Sequence, residues 1–224
     1  PPPPSRRVAL PANSSFPTPP ALLDSPPTLP MDANAREVKV VLLGDTDVGK
    51  SSLVRRFVTD TFDKYSEATI GASFMSKLLR IEKGVIKFQI WDTAGQEKYH
   101  SLAPMYYRGA MAAILVFDIT RPASFDTLRN WVQELQTNGP QEIVLVIAGN
   151  KCDRAADRQV DSSAAEAYAH GIGAVYLETS AKTDTNVQEI FHPGISSRLP
   201  IGEMDSGGES DDELIDLGSA GGGG

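Results

Sequence analysis

A glycine-rich stretch has the residue types and spacing of a phosphate-binding loop. Gly44–Ser51 reads G-x-x-x-x-G-K-S between a predicted strand and a predicted helix. Successive backbone N–H groups and a helix N-terminus would form an anion site there. Lys50 should reach the β- and γ-phosphates of a nucleotide, and the Ser51 hydroxyl should ligate Mg²⁺. The cofactor-binding residues predicted in this loop are Asp47, Val48, Gly49, Lys50, Ser51 and Ser52.

Asp47 places a negative charge inside this loop. Because backbone N–H groups bind phosphate and aspartate keeps its N–H, we expect the carboxylate to point outward from an intact loop. At about 6 Å from the nearest phosphate charge it would still weaken binding by roughly threefold or more, and nucleotide would leave faster. A fully solvated carboxylate without effect is the alternative.

A second motif, "WDTAG" at residues 91–95, follows another predicted strand. Asp92 could hold Mg²⁺ through water, as a Walker-B-type acid does. Gly95 can offer its N–H to a γ-phosphate with no side chain in the way, and Gln96 could orient an attacking water. An ordinary loop is the alternative for this motif taken alone. The predicted catalytic residues are Gln96, Lys50 and Gly95.

Two later motifs have the composition of a guanine site. In "GNKCD", residues 149–153, the Asp153 carboxylate could accept hydrogen bonds from N1–H and the N2 amino group of guanine, neither of which adenine offers. "TSAK", residues 179–182, could add a backbone N–H to the guanine oxygen. Each could be an ordinary strand-to-helix turn on its own, but their order behind a phosphate loop favours guanine. The base-binding residues predicted are Asn150, Lys151, Asp153, Ser180, Ala181 and Lys182.

Alternating strand and helix signals between residues 38 and 200 must position these motifs. "VKVVLL", "MAAILVF" and "IVLVIAG" are apolar runs typical of strands buried on both faces. "SFDTLRNWVQEL" and "SSAAEAYA" favour helices, each opening with a serine suited to N-capping. "KLLRIEKGVIKFQIW" predicts an antiparallel hairpin. The pattern predicts an α/β fold with a mostly parallel sheet and helices on both faces.

The segments outside this region have a different composition. Residues 1–37 contain "PPPP", "PTPP" and "SPPTLP", which predicts a disordered Pro-rich segment, with a polyproline ligand as the alternative. Residues 201–224 form an acidic, Gly-rich stretch that predicts a flexible tail, in which "LIDL" resembles a clathrin-binding box. The net charge of −8 includes no basic stripe, so we expect no nucleic-acid partner. Cys152 is the only cysteine, which excludes a disulfide within the chain and fits a reducing compartment.

With these motifs in this order, residues 38–200 resemble the small GTPases of the Ras superfamily. The similarity is closest to Rab proteins, through "IGASF", "WDTAGQEKYHSL" and "YYRGA", and "GASFMSK" and "HSLAPMYYRGA" resemble the early-endosomal branch. The resemblance implies a P-loop NTPase G domain: a six-stranded, mostly parallel sheet with one antiparallel edge strand. It also implies GTP or GDP and Mg²⁺ as bound groups.

The resemblance further implies particular residue roles. Thr69 would join Ser51 and Asp92 as a Mg²⁺ ligand, and Phe62 would pack beside the guanine. Loops near residues 62–71 and 92–107 would be the two switches, ordered by the γ-phosphate.

Trp91 lies on the polar face of its predicted strand because strand side chains alternate. It is therefore either covered by its own neighbouring loop or offered to a partner. Rab proteins meet their effectors with an aromatic triad, which Phe74, Trp91 and Tyr106 match.

The function implied is a molecular switch that hydrolyses GTP slowly and regulates vesicle and endosomal trafficking. The implied partners are exchange factors, GTPase-activating proteins and trafficking effectors. Residues 58–71 contain no arginine, so fast turnover should need one from an activating partner.

Two departures from the Rab pattern affect these expectations. Rab proteins usually end in prenylated cysteines, whereas this sequence ends in "SAGGGG", which argues against a lipid anchor. The expected location is the cytoplasm, or the cytosolic face of endosomal membranes if the native protein has an anchor. A soluble, unanchored GTP-binding scaffold and a truncated product are the alternatives. In the predicted last helix, "VQEIFHPGISSRLP", Pro193 should cause a kink or break.

Overall fold

The computed structural model describes residues 35–65, 67–95 and 103–200. The strands are β1 (Arg36–Leu43), β2 (Ala72–Ile81), β3 (Gly84–Thr93), β4 (Ala112–Asp118), β5 (Val144–Asn150) and β6 (Val175–Glu178). The helices are α1 (Lys50–Thr59), α2 (Ala103–Tyr107), α3 (Pro122–Asn138), α4 (Ser162–Gly171) and α5 (Val187–Glu189), with a 3₁₀ helix at Cys152–Asp157. Strand β1 thus begins at Arg36, inside the segment predicted to be disordered up to residue 37. Residues 1–34 and 201–224, and Gln96, lie outside the described residues.

The six strands form one sheet in the order β2-β3-β1-β4-β5-β6. Strands β2 and β3 pair antiparallel, with Phe74 opposite Trp91, and all other neighbours are parallel. The predicted six-stranded sheet with one antiparallel edge strand is confirmed. The loops after the parallel strands therefore meet at one edge of the sheet, where ligands bind in open α/β folds.

Apolar side chains cover both faces of the sheet, which explains the continuous apolar runs in the sequence. In β1, Val38, Val40 and Leu42 pack in a cluster with Phe57 of α1. The intervening Val41 and Leu43 pack in a second cluster with residues of α3 and α4. Trp131 of α3 belongs to this second cluster and is 6% exposed, as expected of a core residue.

The predicted break in the last helix is confirmed. Regular helix ends at Glu189, and Ile190–Ile195 form a π-helical segment in which His192 has an extended backbone, φ −143° and ψ 115°. Pro193 has no N–H to donate, so the regular pattern cannot pass through it. Phe191 nevertheless stays buried, and its ring stacks on Phe57 of α1 at a centroid distance of 3.6 Å.

The two predicted serine caps are wrong. Helix α3 begins at Pro122, so Ser124 lies inside its first turn, where its hydroxyl donates to the Arg121 carbonyl (2.6 Å). Helix α4 is capped by Asp161, whose carboxylate accepts the Ala164 N–H at 2.8 Å. Pro122 suits the first helical position of α3, and Asp161 is as good a cap for α4 as a serine would be.

In the described parts of the chain, none of the helices combines the length and apolar character needed to cross a bilayer.

Candidate functional site

The glycine-rich loop connects β1 to α1 with backbone geometry that only glycine accepts at two points. Gly44 has φ 142°, and a Cβ there would lie 2.2 Å from the Val116 carbonyl oxygen. Gly49 has φ 95°, and a Cβ there would lie 2.4 Å from Nδ2 of Asn150. The loop is thus packed against the ends of β4 and β5, with α1 starting immediately behind it at Lys50.

Lys50 is a buried cation, with 5% of its surface exposed. Its Nζ donates to the carbonyl oxygens of Gly44 (2.9 Å) and Asp45 (2.8 Å). Burial lowers its pKa to about 8, although Asp92 and Asp45 act to raise it. An anion placed beside this ammonium group would offset the lost hydration, so the environment favours phosphate.

Asp47 points away from the loop as expected. Its side chain is 81% exposed, and its backbone has φ 59°, a left-handed conformation that aspartate tolerates better than most residues. Lys151 Nζ donates to the Asp47 carbonyl oxygen at 2.7 Å and lies 3.7 Å from its carboxylate. The added negative charge therefore has a cation beside it.

The three predicted Mg²⁺ ligands come together next to Lys50. The hydroxyl oxygens of Ser51 and Thr69 are 2.7 Å apart. Asp92 is 2% exposed, and its Oδ1 has no hydrogen-bond partner among the described residues. Burial raises the pKa of Asp92, while the hydroxyl of Ser51 and the charge of Lys50 oppose that rise. A buried carboxylate oxygen without a partner, beside two hydroxyls, is a set of oxygen donors that suits Mg²⁺.

A cavity of about 160 Å³ lies over this group. Its lining comprises Thr46, Asp47, Gly49, Lys50, Ser51, Ser52, Glu67, Ala68, Thr69 and Gly95. Gly95 approaches the glycine-rich loop so closely that a Cβ would lie 2.4 Å from the carbonyl carbon of Asp45. The C-terminal glycine of the predicted "WDTAG" motif is thus placed beside the phosphate loop, whereas the next residue, Gln96, lies outside the described residues.

Asn150 connects the phosphate loop to the guanine motifs. It is 2% exposed; its Nδ2 donates to the Val48 carbonyl (2.8 Å), and its Oδ1 accepts from the Thr179 hydroxyl (3.3 Å). Through these two hydrogen bonds, the Asn150 amide connects its own loop to the loops that contain Val48 and Thr179. We therefore assign Asn150 a positioning part at the predicted base site.

The remaining guanine residues surround a second cavity of about 480 Å³. Its lining includes Phe62, Lys151, Asp153, Ala181 and Lys182. Asp153 accepts the Ser180 hydroxyl at 2.7 Å on one oxygen, and Lys182 Nζ lies 3.7 Å from the other. The two cavities share Asp47, Gly49 and Ser52, so one elongated ligand can occupy both.

Two further residues support the guanine end and were missed from the sequence. Asp118, at the end of β4, binds Lys151 Nζ at 2.9 Å. Burial acts to raise the pKa of Asp118, but hydrogen bonds from Lys151 and Thr120 lower it overall. Arg56 of α1 donates from Nε to the Ala181 carbonyl (2.9 Å), which braces the "TSAK" loop. Arg56 and Ala181 are 125 positions apart, so no local pattern could have revealed the contact.

The three predicted effector aromatics also lie together. The Phe74 and Trp91 rings are 5.4 Å apart in an edge-on arrangement, and Trp91 and Tyr106 are 6.1 Å apart. Phe74 is 53% exposed, while Lys39 lies 5.3 Å from the centroid of the Trp91 ring. The triad forms a partly exposed apolar surface to which α2 contributes Tyr106.

Comparisons with known proteins agree with this geometry. The model of the Ras family matches residues 39–198. Mouse "Ras-related protein Rab-31" is 56% identical over 173 residues, which is 77% of this chain and 88% of that protein. Human "Ras-related protein Rab-22A" is 54% identical over 176 residues, which is 78% of this chain and 90% of that protein. "Ras-related protein RABF2b" of Arabidopsis thaliana is 57% identical over 162 residues, which is 72% of this chain and 80% of that protein.

The family match covers well over half of the chain, and these relatives are far above the identity at which membership of a family is in question. The elements that carry the match are those that build the two joined cavities, and the residues predicted to bind phosphate, Mg²⁺ and guanine line or adjoin them. The chain belongs to the Ras family of small GTPases, in its Rab branch.

Proposed function

We propose that this chain is a GTP-controlled switch that hydrolyses GTP to GDP and phosphate and regulates endosomal membrane trafficking. The observation that carries the proposal is the joining of two chemically different cavities at one edge of the sheet. One contains buried Lys50 and the oxygen donors around Asp92, and the other contains the carboxylate of Asp153. A nucleoside triphosphate spans such a site with its phosphates at one end and its base at the other.

At the phosphate end, the backbone N–H groups at the start of α1 and the ammonium group of Lys50 hold the β- and γ-phosphates. Ser51, Thr69 and Asp92 would hold Mg²⁺, which when bound supplies positive charge to the phosphates. The Gly95 N–H donates to the γ-phosphate, and Gln96 orients a water for in-line attack on it. Because every donor is fixed before reaction, charge that develops on the phosphate oxygens is stabilised without rearrangement.

At the base end, Asp153 accepts two hydrogen bonds from guanine, and the backbone of Ser180, Ala181 and Lys182 faces the guanine oxygen. Adenine offers neither of these donors to the carboxylate, so the site discriminates strongly against ATP. Phe62 covers one face of the base from the loop after α1. Lys151 and Asn150 keep these loops in register with the phosphate loop.

The switching step follows from two contacts of the phosphate end. Thr69 reaches Ser51 from the segment near residues 62–71, and Gly95 packs on the phosphate loop from the segment near 92–107. Both segments depend on groups that the γ-phosphate and Mg²⁺ would hold in place, so hydrolysis releases them. Phe74 and Trp91 lie in the two strands between these segments, and Tyr106 lies in the second segment, so effectors that bind this aromatic triad can detect the state of both segments.

The general partners of Rab proteins are exchange factors, GTPase-activating proteins and effectors, and we assign the same classes to this chain. An activating protein would supply the arginine that residues 58–71 lack. We place the switch at the cytosolic face of endosomal membranes, in keeping with its similarity to Rab-31 and Rab-22A. The chain would act there as a peripheral protein.

The proposal is tested by nucleotide binding and single-turnover hydrolysis with the purified chain. We expect tight, Mg²⁺-dependent binding of GTP and GDP, rejection of ATP, and slow release of phosphate from preloaded GTP. A matched control is the same assay with Lys50→Ala, which should bind neither guanine nucleotide tightly. Equal affinity for GTP and ATP, or preloaded GTP that is not hydrolysed, would contradict the proposal.

A further inference from the structure

Arg121 precedes α3 and has a rigidly held backbone. Its N–H donates to the Asp118 carbonyl at 2.9 Å, and its own carbonyl accepts the N–H (3.0 Å) and the hydroxyl (2.6 Å) of Ser124. Pro122 follows at the first position of the helix, where its fixed φ suits the turn. The arginine side chain therefore starts from a defined position at the end of β4.

The Arg121 side chain reaches back to the phosphate loop, 75 positions earlier in the chain. Its Nη2 lies 3.2 Å from the Asp45 carboxylate and also donates to the Thr46 carbonyl oxygen. The other carboxylate oxygen of Asp45 accepts the Thr46 N–H at 2.6 Å. Arg121 and Asp45 together hold the backbone at the second and third residues of the loop.

Two other groups contact the same piece of backbone. Lys50 Nζ donates to the Asp45 carbonyl oxygen at 2.8 Å. Gly95 packs so closely that a Cβ there would lie 2.4 Å from the Asp45 carbonyl carbon and from the Thr46 nitrogen. The Asp45–Thr46 peptide is therefore confined by Lys50, Arg121 and the start of the second switch.

Arg121 also adds positive charge at this end of the site. It is close enough to Lys50 to help lower the pKa of that ammonium group. Its Nε is buried without a hydrogen-bond partner among the described residues. The phosphate end thus has a second cation, which lies just outside the lining of the cavity.

We propose that Arg121 is a positioning residue for GTP hydrolysis: it holds the Asp45–Thr46 peptide against Gly95, so that the Gly95 N–H stays aimed at the γ-phosphate. This inference rests on the proposed function. Binding of nucleotide depends on the N–H groups from Asp47 onward, which Arg121 does not contact. Loss of Arg121 should therefore affect hydrolysis more than affinity.

The test compares Arg121→Ala and Arg121→Lys with wild type in single-turnover hydrolysis of preloaded GTP. Affinity for GTP and thermal stability are measured on the same samples. We expect Arg121→Ala to slow hydrolysis about fivefold, equivalent to about 1 kcal/mol in barrier, with an affinity change below about twofold. Arg121→Lys keeps the charge and can reach one of the two acceptors, so it should recover at least half of the lost rate.

Arg129, in the helix that follows Arg121, offers a matched control. It pairs with Asp126 at 3.4 Å and lies over the Phe125 ring at 4.7 Å, on a part of α3 that follows the Arg121 turn. Arg129→Ala should leave hydrolysis unchanged even if it lowers the melting temperature. A merely structural role for Arg121 predicts instead that equal losses of melting temperature bring equal losses of rate in the two variants.

A double variant shows whether Arg121 acts through Asp45. In an Asp45→Asn background, removal of Arg121 should cost less than in wild type, because the ion pair is already gone. A folded Arg121→Ala protein that hydrolyses GTP within about twofold of wild type overturns the inference and leaves the proposed function intact; equal losses of affinity and rate also overturn it. A wild-type chain that does not hydrolyse GTP contradicts both.

Discussion

The phosphate end and the guanine end of the site balance their charges differently. At the phosphate end, the ammonium group of Lys50 is buried and donates to two carbonyl oxygens, and a carboxylate oxygen of Asp92 has no partner among the described residues. At the guanine end, Lys151 is bound to Asp118 at 2.9 Å, and Asp153 already accepts from Ser180.

Because of this difference, we expect the phosphate end to supply most of the affinity for nucleotide and the guanine end to supply the specificity for the base. The phosphate end becomes electrostatically complete only when it holds phosphate and metal, so most of the binding free energy should arise there. The guanine end is internally satisfied without ligand, so a base is accepted only if it replaces existing hydrogen bonds equally well. Variants at the two ends should therefore fail in different ways.

Asp153→Asn should have the largest effect, because it breaks the guanine end. The carboxylate that accepts two hydrogen bonds becomes an amide with one acceptor and one mismatched donor. We expect GTP affinity to fall by about 3 kcal/mol, over 100-fold, and rejection of other bases to weaken. Competition among GTP, ATP and xanthosine triphosphate measures both effects, and equal GTP affinity in the two proteins would remove Asp153 from base recognition.

Removal of Mg²⁺ should act only at the phosphate end. Chelation leaves the oxygen atoms of Asp92 and the phosphates facing each other, so GDP release should accelerate at least tenfold, about 1.4 kcal/mol. Selectivity for guanine over adenine should stay the same, since the base end holds no metal ligand. Release of a fluorescent GDP with and without chelator tests this, and a rate insensitive to chelation would contradict the assignment of Ser51, Thr69 and Asp92.

Gln96→Leu should separate chemistry from binding within the phosphate end. The leucine keeps the approximate size of the side chain but cannot orient a water, so hydrolysis should fall at least tenfold, about 1.4 kcal/mol in barrier. GTP affinity should be nearly intact. The single-turnover rate of phosphate release from preloaded GTP tests this prediction, and an unchanged rate would show that Gln96 has no part in hydrolysis.

Asp47→Asn should have the smallest effect, because Asp47 lies where the two ends meet. Asparagine keeps the left-handed backbone, which alanine would strain, and removes only the charge. Since Lys151 lies 3.7 Å from the carboxylate, we expect GDP release to slow by no more than about threefold, with a difference that shrinks at high salt. Release that is equal or faster in the variant would show that this charge does not weaken nucleotide binding.

The residues predicted from sequence and those found only in the structure differ in a physical way. Lys50 and Ser51 could be predicted because a glycine loop of fixed length places them on one helix terminus. Arg56 and Arg121 could not, because each acts across more than 70 positions on a backbone carbonyl, and any loop residue supplies a carbonyl. Polar side chains that support a backbone leave no pattern in a single sequence.

The same distinction applies to the fold. The mostly parallel sheet and the antiparallel hairpin followed from apolar runs and one short turn, and the break near Pro193 followed from its missing N–H, whereas the order of the strands is known only from the structure. The starts of α3 and α4 did not follow, because Pro122 and Asp161 compete with neighbouring serines for similar local roles. Local preferences of similar strength therefore do not decide which of two neighbouring residues begins or caps a helix.

The contact between Arg36 and the Pro200 carbonyl, at 2.9 Å, has a practical consequence for handling the molecule. It brings the two ends of the described domain side by side where β1 begins, whereas the phosphate loop follows the opposite end of that strand, about 25 Å away. A fluorophore, affinity tag or tether attached near either end would thus sit at the same pole, remote from the nucleotide. A short linker between these ends, with new termini cut into the β2–β3 turn, should yield a circular permutant that still loads GTP.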